Sequence, residues 1–163
     1  MNIEIERKFL LKSDFPKEDA TKVFHIKQGY LNDNPDRTVR VRITNSHGYF
    51  CVKGRTQNIS KMEFEYEIPI DDALKLLELC KRPIIAKTRY KIPYEGHLWE
   101  VDVFEGENEG LVMAEVELRS TDEPFEKPDF IGKEVTGDRR FYNSHLRRMP
   151  FILWGRTLTE EYL

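Results

Sequence analysis

The feature that most constrains the fold is a set of seven short segments in which charged residues occupy every second position. The charged positions are Glu4, Glu6 and Lys8; Arg40 and Arg42; Lys53; Glu63, Glu65 and Glu67; Lys87, Arg89 and Lys91; Glu100 and Asp102; and Glu115 and Glu117. Side chains two residues apart lie on the same face of a β-strand. Each segment therefore predicts a strand with one charged face, mostly acidic or mostly basic, and one apolar face.

Two interpretations account for this pattern. Antiparallel strands often place an apolar face on the core and a polar face in water. Alternatively, the strands form a barrel whose charged faces line the interior. Like charges spaced two apart repel one another unless counterions hold them, and the segregation of sign by strand supports the second interpretation, an interior that binds metal cations together with a polyanion. The pattern alone leaves both interpretations open.

Composition limits the classes of function. The 163 residues predict a single domain, 1–163, with 39% hydrophobic and 34% charged residues. The net charge of −3 argues against nucleic acid as a partner. No run of about 18 apolar residues occurs, so we expect no membrane partner and a cytoplasmic location. Cys51 and Cys80 have neither metal-ligand spacing nor a disulfide framework.

Periodicity and turn residues predict eight strands and two helical regions. The strands are expected near 2–12, 26–31, 37–45, 48–55, 61–69, 85–94, 97–105 and 111–119. The first helix is expected over 71–80, beginning at a capping Asp and presenting Ala73, Leu76, Leu77 and Cys80 on one face. Further on, a short or broken helix is expected over 123–131 and another from Thr136 or Asp138 to Arg148. The apolar segment 151–154 is expected to pack on the outside of the barrel.

These elements predict an α+β, mainly β protein: an eight-stranded antiparallel closed β-barrel, or tunnel, with a charged interior and helices packed outside. Small barrels can hold one ligand in their interior. A charged interior is costly unless its acids hold metal ions and its bases hold an anion.

The same residues resemble the CYTH superfamily, the triphosphate tunnel metalloenzymes, over almost the whole chain. The resemblance begins with the ExExK motif Glu4-Ile5-Glu6-Arg7-Lys8. It continues through the ordered motifs at 28–31, 40–42, 52–54, 63–69, 87–90, 100–104, 110–111, 114–118 and 132–136. One departure is Phe141, where the family pattern usually has Tyr; no expected ligand is lost.

The resemblance implies a role for each charged position. Metal ligands are expected at Glu4, Glu6, Glu63, Glu65, Asp102, Glu115 and Glu117. Substrate-binding bases are expected at Lys8, Arg40, Arg42, Lys53, Lys87, Arg89 and Lys133. Catalytic roles are expected for Lys8, Glu63, Glu65 and Asp102, of which the three acids hold a second metal or orient water.

The resemblance also implies metal-dependent hydrolysis of a triphosphate, with inorganic triphosphate as the expected small-molecule substrate. Carboxylates suit Mg²⁺ or Mn²⁺, and phosphoryl transfer needs mainly positioning and charge stabilisation. Alternatives are a class IV-type adenylate cyclase that converts ATP to cyclic AMP, a thiamine or nucleoside triphosphatase, and a non-catalytic polyphosphate-binding module. We expect a monomer or a homodimer.

Overall fold

The computed structural model describes residues 3–154, without the side chains of residues 147 and 148. The strands in this range are β1 (Ile3–Leu11), β2 (Lys22–Tyr30), β3 (Thr38–Thr44), β4 (His47–Lys53), β5 (Ser60–Ile68), β6 (Lys81–Tyr94), β7 (His97–Phe104), β8 (Val112–Glu117) and β9 (Ile131–Glu134). The α-helices are α1 (Ile70–Leu79) and α2 (Asn143–Arg148). Short 3₁₀ turns lie at Lys17–Asp19, Gly106–Asn108, Arg139–Phe141 and Phe151–Leu153.

Strands β1–β8 close into an antiparallel barrel, as predicted. The strand order is β5-β4-β3-β2-β6-β7-β8-β1, and β5 pairs back onto β1. The closing seam is short: Ile3, Glu4 and Ile5 face Met62, Lys61 and Ser60. Beyond the seam, β9 continues along the same edge of β1, with Leu11 opposite Ile131. The short seam places Glu4 of β1 directly beside Lys61 of β5.

The apolar faces of the strands point outward and are covered by the rest of the chain. Five outward residues of β1, β7 and β8 are fully buried: Phe9, Trp99, Val101, Ala114 and Val116. They pack against Leu118, Phe130 and Ile131 in the segment that follows β8. On the opposite side, α1 packs Ala73 and Leu77 onto Val41 and Ile43 of β3, and Cys80, which follows α1, belongs to the same cluster. Burial of each large side chain contributes about 1.5–3 kcal/mol, so these contacts fix which face points inward.

One end of the barrel is filled by apolar side chains. Five buried residues with the same strand parity as the charged positions lie at this end: Leu10, Tyr30, Ile85, Phe104 and Met113. Val135, Phe141 and Leu146 of the C-terminal segment complete the cluster, and Phe151 and Trp154 pack against it. The C-terminal segment therefore closes this end, while the remaining inward-facing positions stay polar. Phe141, which is 1% exposed, contributes its apolar ring to this cluster.

Two helix predictions were wrong in whole or in part. Residues 123–130 form no helix and lead directly into β9. Pro124 and Pro128 each lack a backbone N–H and disfavour the helical conformation of the preceding residue. The helix expected from Thr136 or Asp138 is divided, because Tyr142 is extended (φ −71°, ψ 136°) between the 3₁₀ turn and α2.

Smaller differences concern the ends of elements. Helix α1 follows Pro69 and has no side-chain cap, whereas a capping Asp was predicted. Strands β2 and β6 begin four residues earlier than expected, at Lys22 and Lys81. Segment 151–154, predicted to pack on the outside of the barrel, packs through Phe151 and Trp154 on the cluster that closes one end, while Ile152 and Leu153 are each 68% exposed. No helix in residues 3–154 has the length and apolar character needed to cross a membrane.

Candidate active site

The interior of the barrel is a polar cavity of about 370 Å³. All eight barrel strands contribute side chains to its lining, and Tyr142, Asn143 and Ser144 contribute from the C-terminal segment. Twelve of the residues predicted from sequence line it: Glu4, Glu6, Lys8, Arg40, Arg42, Lys53, Glu63, Glu65, Lys87, Arg89, Glu115 and Glu117. The structure thus brings together charged positions separated by more than 100 residues in sequence. The solvent-facing interpretation of these strands is wrong.

Cationic side chains from three strands, β3, β4 and β6, line the cavity. We call this set the basic wall: Arg40, Arg42, Lys53, Lys87 and Arg89. Arg42 donates to both oxygens of Glu65 at 3.0 Å, and Nη2 of Arg40 lies 3.6 Å from the same carboxylate. The Nε atoms of Arg40 and Arg42 are buried and donate no hydrogen bond to any residue in the described range 3–154. Unsatisfied buried donors are costly, and an anion in the cavity would satisfy them.

Adjacent strands β1 and β8 carry the acidic face, which consists of Glu4, Glu6, Glu115 and Glu117. Glu6 is opposite Glu117, and Lys8 is opposite Glu115. Burial and the neighbouring carboxylate of Glu6, with which it shares a hydrogen bond, raise the pKa of Glu115 to about 8. Burial opposes the ionisation of Glu6 as well, but Lys8 and Lys61 outweigh it and hold the pKa of Glu6 well below its usual range. One proton is therefore retained between two acids that lie side by side.

A second pair of carboxylates meets across the β1–β5 seam. Glu4 shares a hydrogen bond with Glu63. Lys53 Nζ lies 3.0 Å from Glu4 Oε1 and 3.2 Å from Glu63 Oε2. Burial raises the pKa of Glu4, and the acids around Lys53 raise the pKa of that lysine despite its burial. Acids from β1, β5 and β8 thus form a continuous group on one side of the cavity, held by lysines.

Asp102, predicted to hold a metal or orient water, is buried against two cations instead of lining the cavity. Its side chain is 3% exposed and is absent from the residues that line the cavity. It accepts hydrogen bonds from Nε and Nη2 of Arg89 at 2.7 and 2.9 Å, and Lys87 Nζ lies 2.8 Å away. Burial opposes its ionisation, but these two cations lower the pKa of Asp102 strongly. In this structure the carboxylate orients two members of the basic wall.

Lys133 also lies outside the cavity lining. It is an exposed residue of β9, which extends along the outside edge of β1. The motif around it has another role in the fold. Thr136 Oγ1 accepts a hydrogen bond from the backbone N–H of Lys8 at 2.9 Å, and Val135 N–H donates to the Lys8 carbonyl at 2.8 Å. The C-terminal motif thereby holds the backbone at Lys8.

The sequence interpretation missed several cavity residues. Lys61 shares the parity of Glu63 and lies 3.5 Å from Glu4 and 3.3 Å from Glu6. Burial and the charges of Lys53 and Lys8 lower its pKa. Its parity is a signal that was available in the sequence. Tyr142 and Asn143 gave no such signal, since they reach the cavity only through the break between the two C-terminal helical turns.

Cys51 lies beside the charged groups but is suited to a packing role. It is 1% exposed, and its Sγ and carboxylate oxygens of Glu63 and Glu65 all lie within 4.8 Å of one another. Burial raises the pKa of the Cys51 thiol, which favours the neutral form.

The four histidines, His25, His47, His97 and His145, do not line the cavity.

The structure is a closed antiparallel barrel whose cavity is lined by a basic wall and by a group of carboxylates, which is the architecture of a tunnel protein. Comparison with known proteins gives its family: the chain matches the CYTH domain over residues 2–142 and belongs to the CYTH family.

Two curated relatives match most of the chain. An inorganic triphosphatase of Acetivibrio thermocellus is 51% identical over 152 residues, which is 93% of this chain and 97% of the relative. An inorganic triphosphatase of Nitrosomonas europaea is 35% identical over 148 residues, 88% of this chain and 95% of the relative. A crystal structure of an inorganic triphosphatase is similar with 33% identity and a TM-score of 0.64, covering 88% of this chain and 97% of that chain.

Proposed function

We propose that this protein is a divalent-metal-dependent triphosphatase that hydrolyses inorganic triphosphate to pyrophosphate and phosphate. The observation that carries the proposal is the shared cavity of about 370 Å³, in which the basic wall and the acidic face lie together. The two relatives named inorganic triphosphatase, at 51% and 35% identity, support this substrate.

The basic wall suits the charge of the substrate. Triphosphate carries about four or five negative charges near neutral pH, since a terminal phosphate proton titrates near pH 6. The wall supplies five cationic side chains, of which Arg40 and Lys87 are almost fully buried. Arginine guanidinium groups match phosphate oxygens with paired donors, and Arg40 and Arg42 both line the cavity.

The carboxylates suit a hard divalent cation. Two pairs of carboxylates lie close enough to share a hydrogen bond: Glu6 with Glu115, and Glu4 with Glu63. A bound cation would offset the repulsion within each pair, so that neither pair would need to keep a proton. Oxygen ligands favour Mg²⁺ or Mn²⁺. The residues proposed to hold metal are Glu4, Glu6, Glu63, Glu65, Glu115 and Glu117. When bound, such a cation neutralises phosphate charge and activates water.

Lys8 is proposed to stabilise the reacting phosphate. Its Nζ lies 3.7 Å from Glu6 and 3.9 Å from Glu115, and the Tyr142 ring lies 4.9 Å away. Burial opposes its charge, but the two acids raise the pKa of Lys8, so the ammonium stays protonated. Charge that develops on the phosphate oxygens is stabilised by such a fixed cation. Glu63 and Glu65 are proposed to orient the attacking water or to hold a second metal.

One observation keeps a nucleotide as a second candidate substrate. The rings of Phe24 and Tyr49 line the cavity near the first residues of β2 and β4. The Lys91 ammonium lies over the Phe24 ring, and the Arg42 guanidinium lies over the Tyr49 ring. Flat rings can stack on a nucleobase, as ATP would require for hydrolysis or for cyclisation to cyclic AMP. The faces of these two rings also contact Arg42 and Lys91, so the rings have a packing role that needs no nucleobase.

The test is phosphate release from triphosphate by purified protein with Mg²⁺ or Mn²⁺, compared with excess chelator. We expect turnover only with metal, and Glu117→Gln should lower kcat even at saturating triphosphate because it removes a charge from the acidic face. Full turnover in chelator, with residual metal measured, overturns the metal mechanism. Tight triphosphate binding without turnover under any metal identifies a binding module instead.

A further inference from the structure

Lys61 occupies an unusual position beside two acids of the proposed metal site. Its Nζ lies 3.5 Å from Glu4 Oε1 and 3.3 Å from Glu6 Oε1, and its side chain is 15% exposed. The register of the β1–β5 seam fixes this arrangement, since Lys61 is the residue opposite Glu4. Lys61 is therefore a cation shared between two carboxylates on the neighbouring strand.

Each of these carboxylates also has another lysine. Lys53 lies 3.0 Å from Glu4, and Lys8 lies 3.7 Å from Glu6. Lys61 is thus an additional cation on the two acids, and it contacts the same Oε1 atom of Glu4 that Lys53 contacts. A divalent ion that coordinates these oxygens at about 2.0–2.6 Å requires the ammonium to withdraw, because two cations so close repel strongly.

The structure offers space into which the ammonium can withdraw. A second, small cavity of about 20 Å³ is lined by Lys61, Glu6, Lys8, Tyr142 and residues of the loop before β5, including Thr56 and Asn58. This volume is sufficient for a group the size of a water molecule, roughly 10–15 Å³. Thr56 and Asn58 provide polar atoms beside it. Movement of Lys61 into this cavity takes its ammonium away from Glu4, which does not line it, without opening the barrel, and Glu6 remains within reach.

Triphosphate provides a further partner for the displaced charge. Lys61 also lines the main cavity, so an anion bound there attracts its ammonium away from Glu4 and Glu6. Substrate binding and metal binding then favour one another, since each removes an obstacle to the other.

Building on the proposed function, we propose that Lys61 is an exchangeable internal cation: it holds Glu4 and Glu6 in the metal-free protein and opposes metal binding until triphosphate arrives. This role differs from that of the basic wall, since removal of Lys61 strengthens metal binding in the absence of substrate.

The test is a calorimetric titration of Mn²⁺ without triphosphate, on the parent protein and four variants. Lys61→Met and Lys61→Gln remove the charge with different packing, and Lys61→Arg keeps it. Lys75→Gln is the matched control, since it removes the same charge from an exposed position on α1 outside the barrel. Thermal unfolding of each variant confirms that it is folded.

We expect Lys61→Met and Lys61→Gln to bind Mn²⁺ at least about tenfold more tightly than the parent. Lys61→Arg and Lys75→Gln should retain the parent affinity. A non-hydrolysable triphosphate analogue should strengthen Mn²⁺ binding more in the parent than in Lys61→Met, because the obstacle that it removes is absent from the variant.

Equal or weaker Mn²⁺ binding by the two neutral variants overturns the role of Lys61. This result is separable from failure of the proposed function. A parent protein that hydrolyses triphosphate with Mn²⁺, while Lys61→Met binds Mn²⁺ no more tightly, contradicts only the exchange mechanism. A parent that does not hydrolyse triphosphate with either metal contradicts the proposed function itself.

Discussion

Asp102 holds Arg89 through two parallel hydrogen bonds, 2.7 Å to Nε and 2.9 Å to Nη2, from a position buried beneath the cavity lining. Lys87 lies against the same carboxylate at 2.8 Å. One buried anion therefore orients two cations that face the proposed phosphate site. Asp102 is a positioning residue for the basic wall in this arrangement.

Replacement of Asp102 by Asn should weaken substrate binding more than the chemical step. The change leaves Arg89 and Lys87 without their anion, so we expect KM for triphosphate to rise at least about tenfold and the free energy of unfolding to fall by about 3 kcal/mol. Steady-state kinetics and denaturant unfolding measure the two effects. Glu100→Gln, which affects a more exposed partner of Arg89 at 3.5 Å, should have a smaller effect on both. Loss of Mn²⁺ binding with unchanged KM would restore Asp102 as a metal ligand.

Removal of one cation from the basic wall should reduce affinity for triphosphate. Arg40→Gln removes a buried guanidinium, 7% exposed, whose Nε donates no hydrogen bond to the described part of the chain. We expect triphosphate to bind at least about tenfold more weakly, a loss of about 1.4 kcal/mol or more. Calorimetry with a non-hydrolysable analogue measures this directly. Arg37→Gln is the control, since Arg37 is exposed and absent from the cavity lining; equal affinities for all three proteins would exclude Arg40 from the phosphate site.

The metal-free protein should lose stability as pH rises from about 4.5 to about 8. Burial and the neighbouring Glu6 raise the pKa of Glu115 from 4.5 to about 8, so the folded protein keeps a proton that the unfolded chain releases. The unfolded state binds fewer protons over this range, and the free energy of unfolding therefore falls with increasing pH. Above pH 8 the slope from Lys87 has the opposite sign, since burial lowers the pKa of that lysine from 10.5 to about 8.

The measurement is denaturant unfolding at several pH values in chelator. Glu115→Gln should flatten the decline by at least about 1.4 kcal/mol, the equivalent of one pKa unit, whereas Glu109→Gln at an exposed position should not. A parent and Glu115→Gln with parallel pH profiles would show that Glu115 ionises normally in the folded protein.

The charged interior was predictable because strand parity determines which side chains share a face. Once Phe9, Trp99 and Val101 are buried on the outside, residues of the opposite parity must point inward. The sign pattern of these residues then indicated an anion and cations. Strand parity does not show how deeply a side chain is buried. Asp102 has the same parity as Glu100 but lies beneath Arg89 rather than at the cavity surface.

The remaining differences arise from contacts distant in sequence. Strand β9 has only four residues and exists because it pairs with the edge of β1, so no local pattern predicts it. Tyr142 and Asn143 reach the cavity through a break between two short helical turns, which a periodic pattern over 138–148 conceals. The pairing of Lys61 with Glu4 depends on the register that closes the barrel.

The most direct test of the account is a comparison of kcat/KM for inorganic triphosphate and ATP under the same metal and pH, with all products resolved by chromatography. We expect triphosphate to be preferred by at least about tenfold, roughly 1.4 kcal/mol in transition-state stabilisation, and to give equal amounts of pyrophosphate and phosphate. A higher kcat/KM for ATP, with cyclic AMP and pyrophosphate as the main products, would contradict the triphosphatase assignment and identify a cyclase.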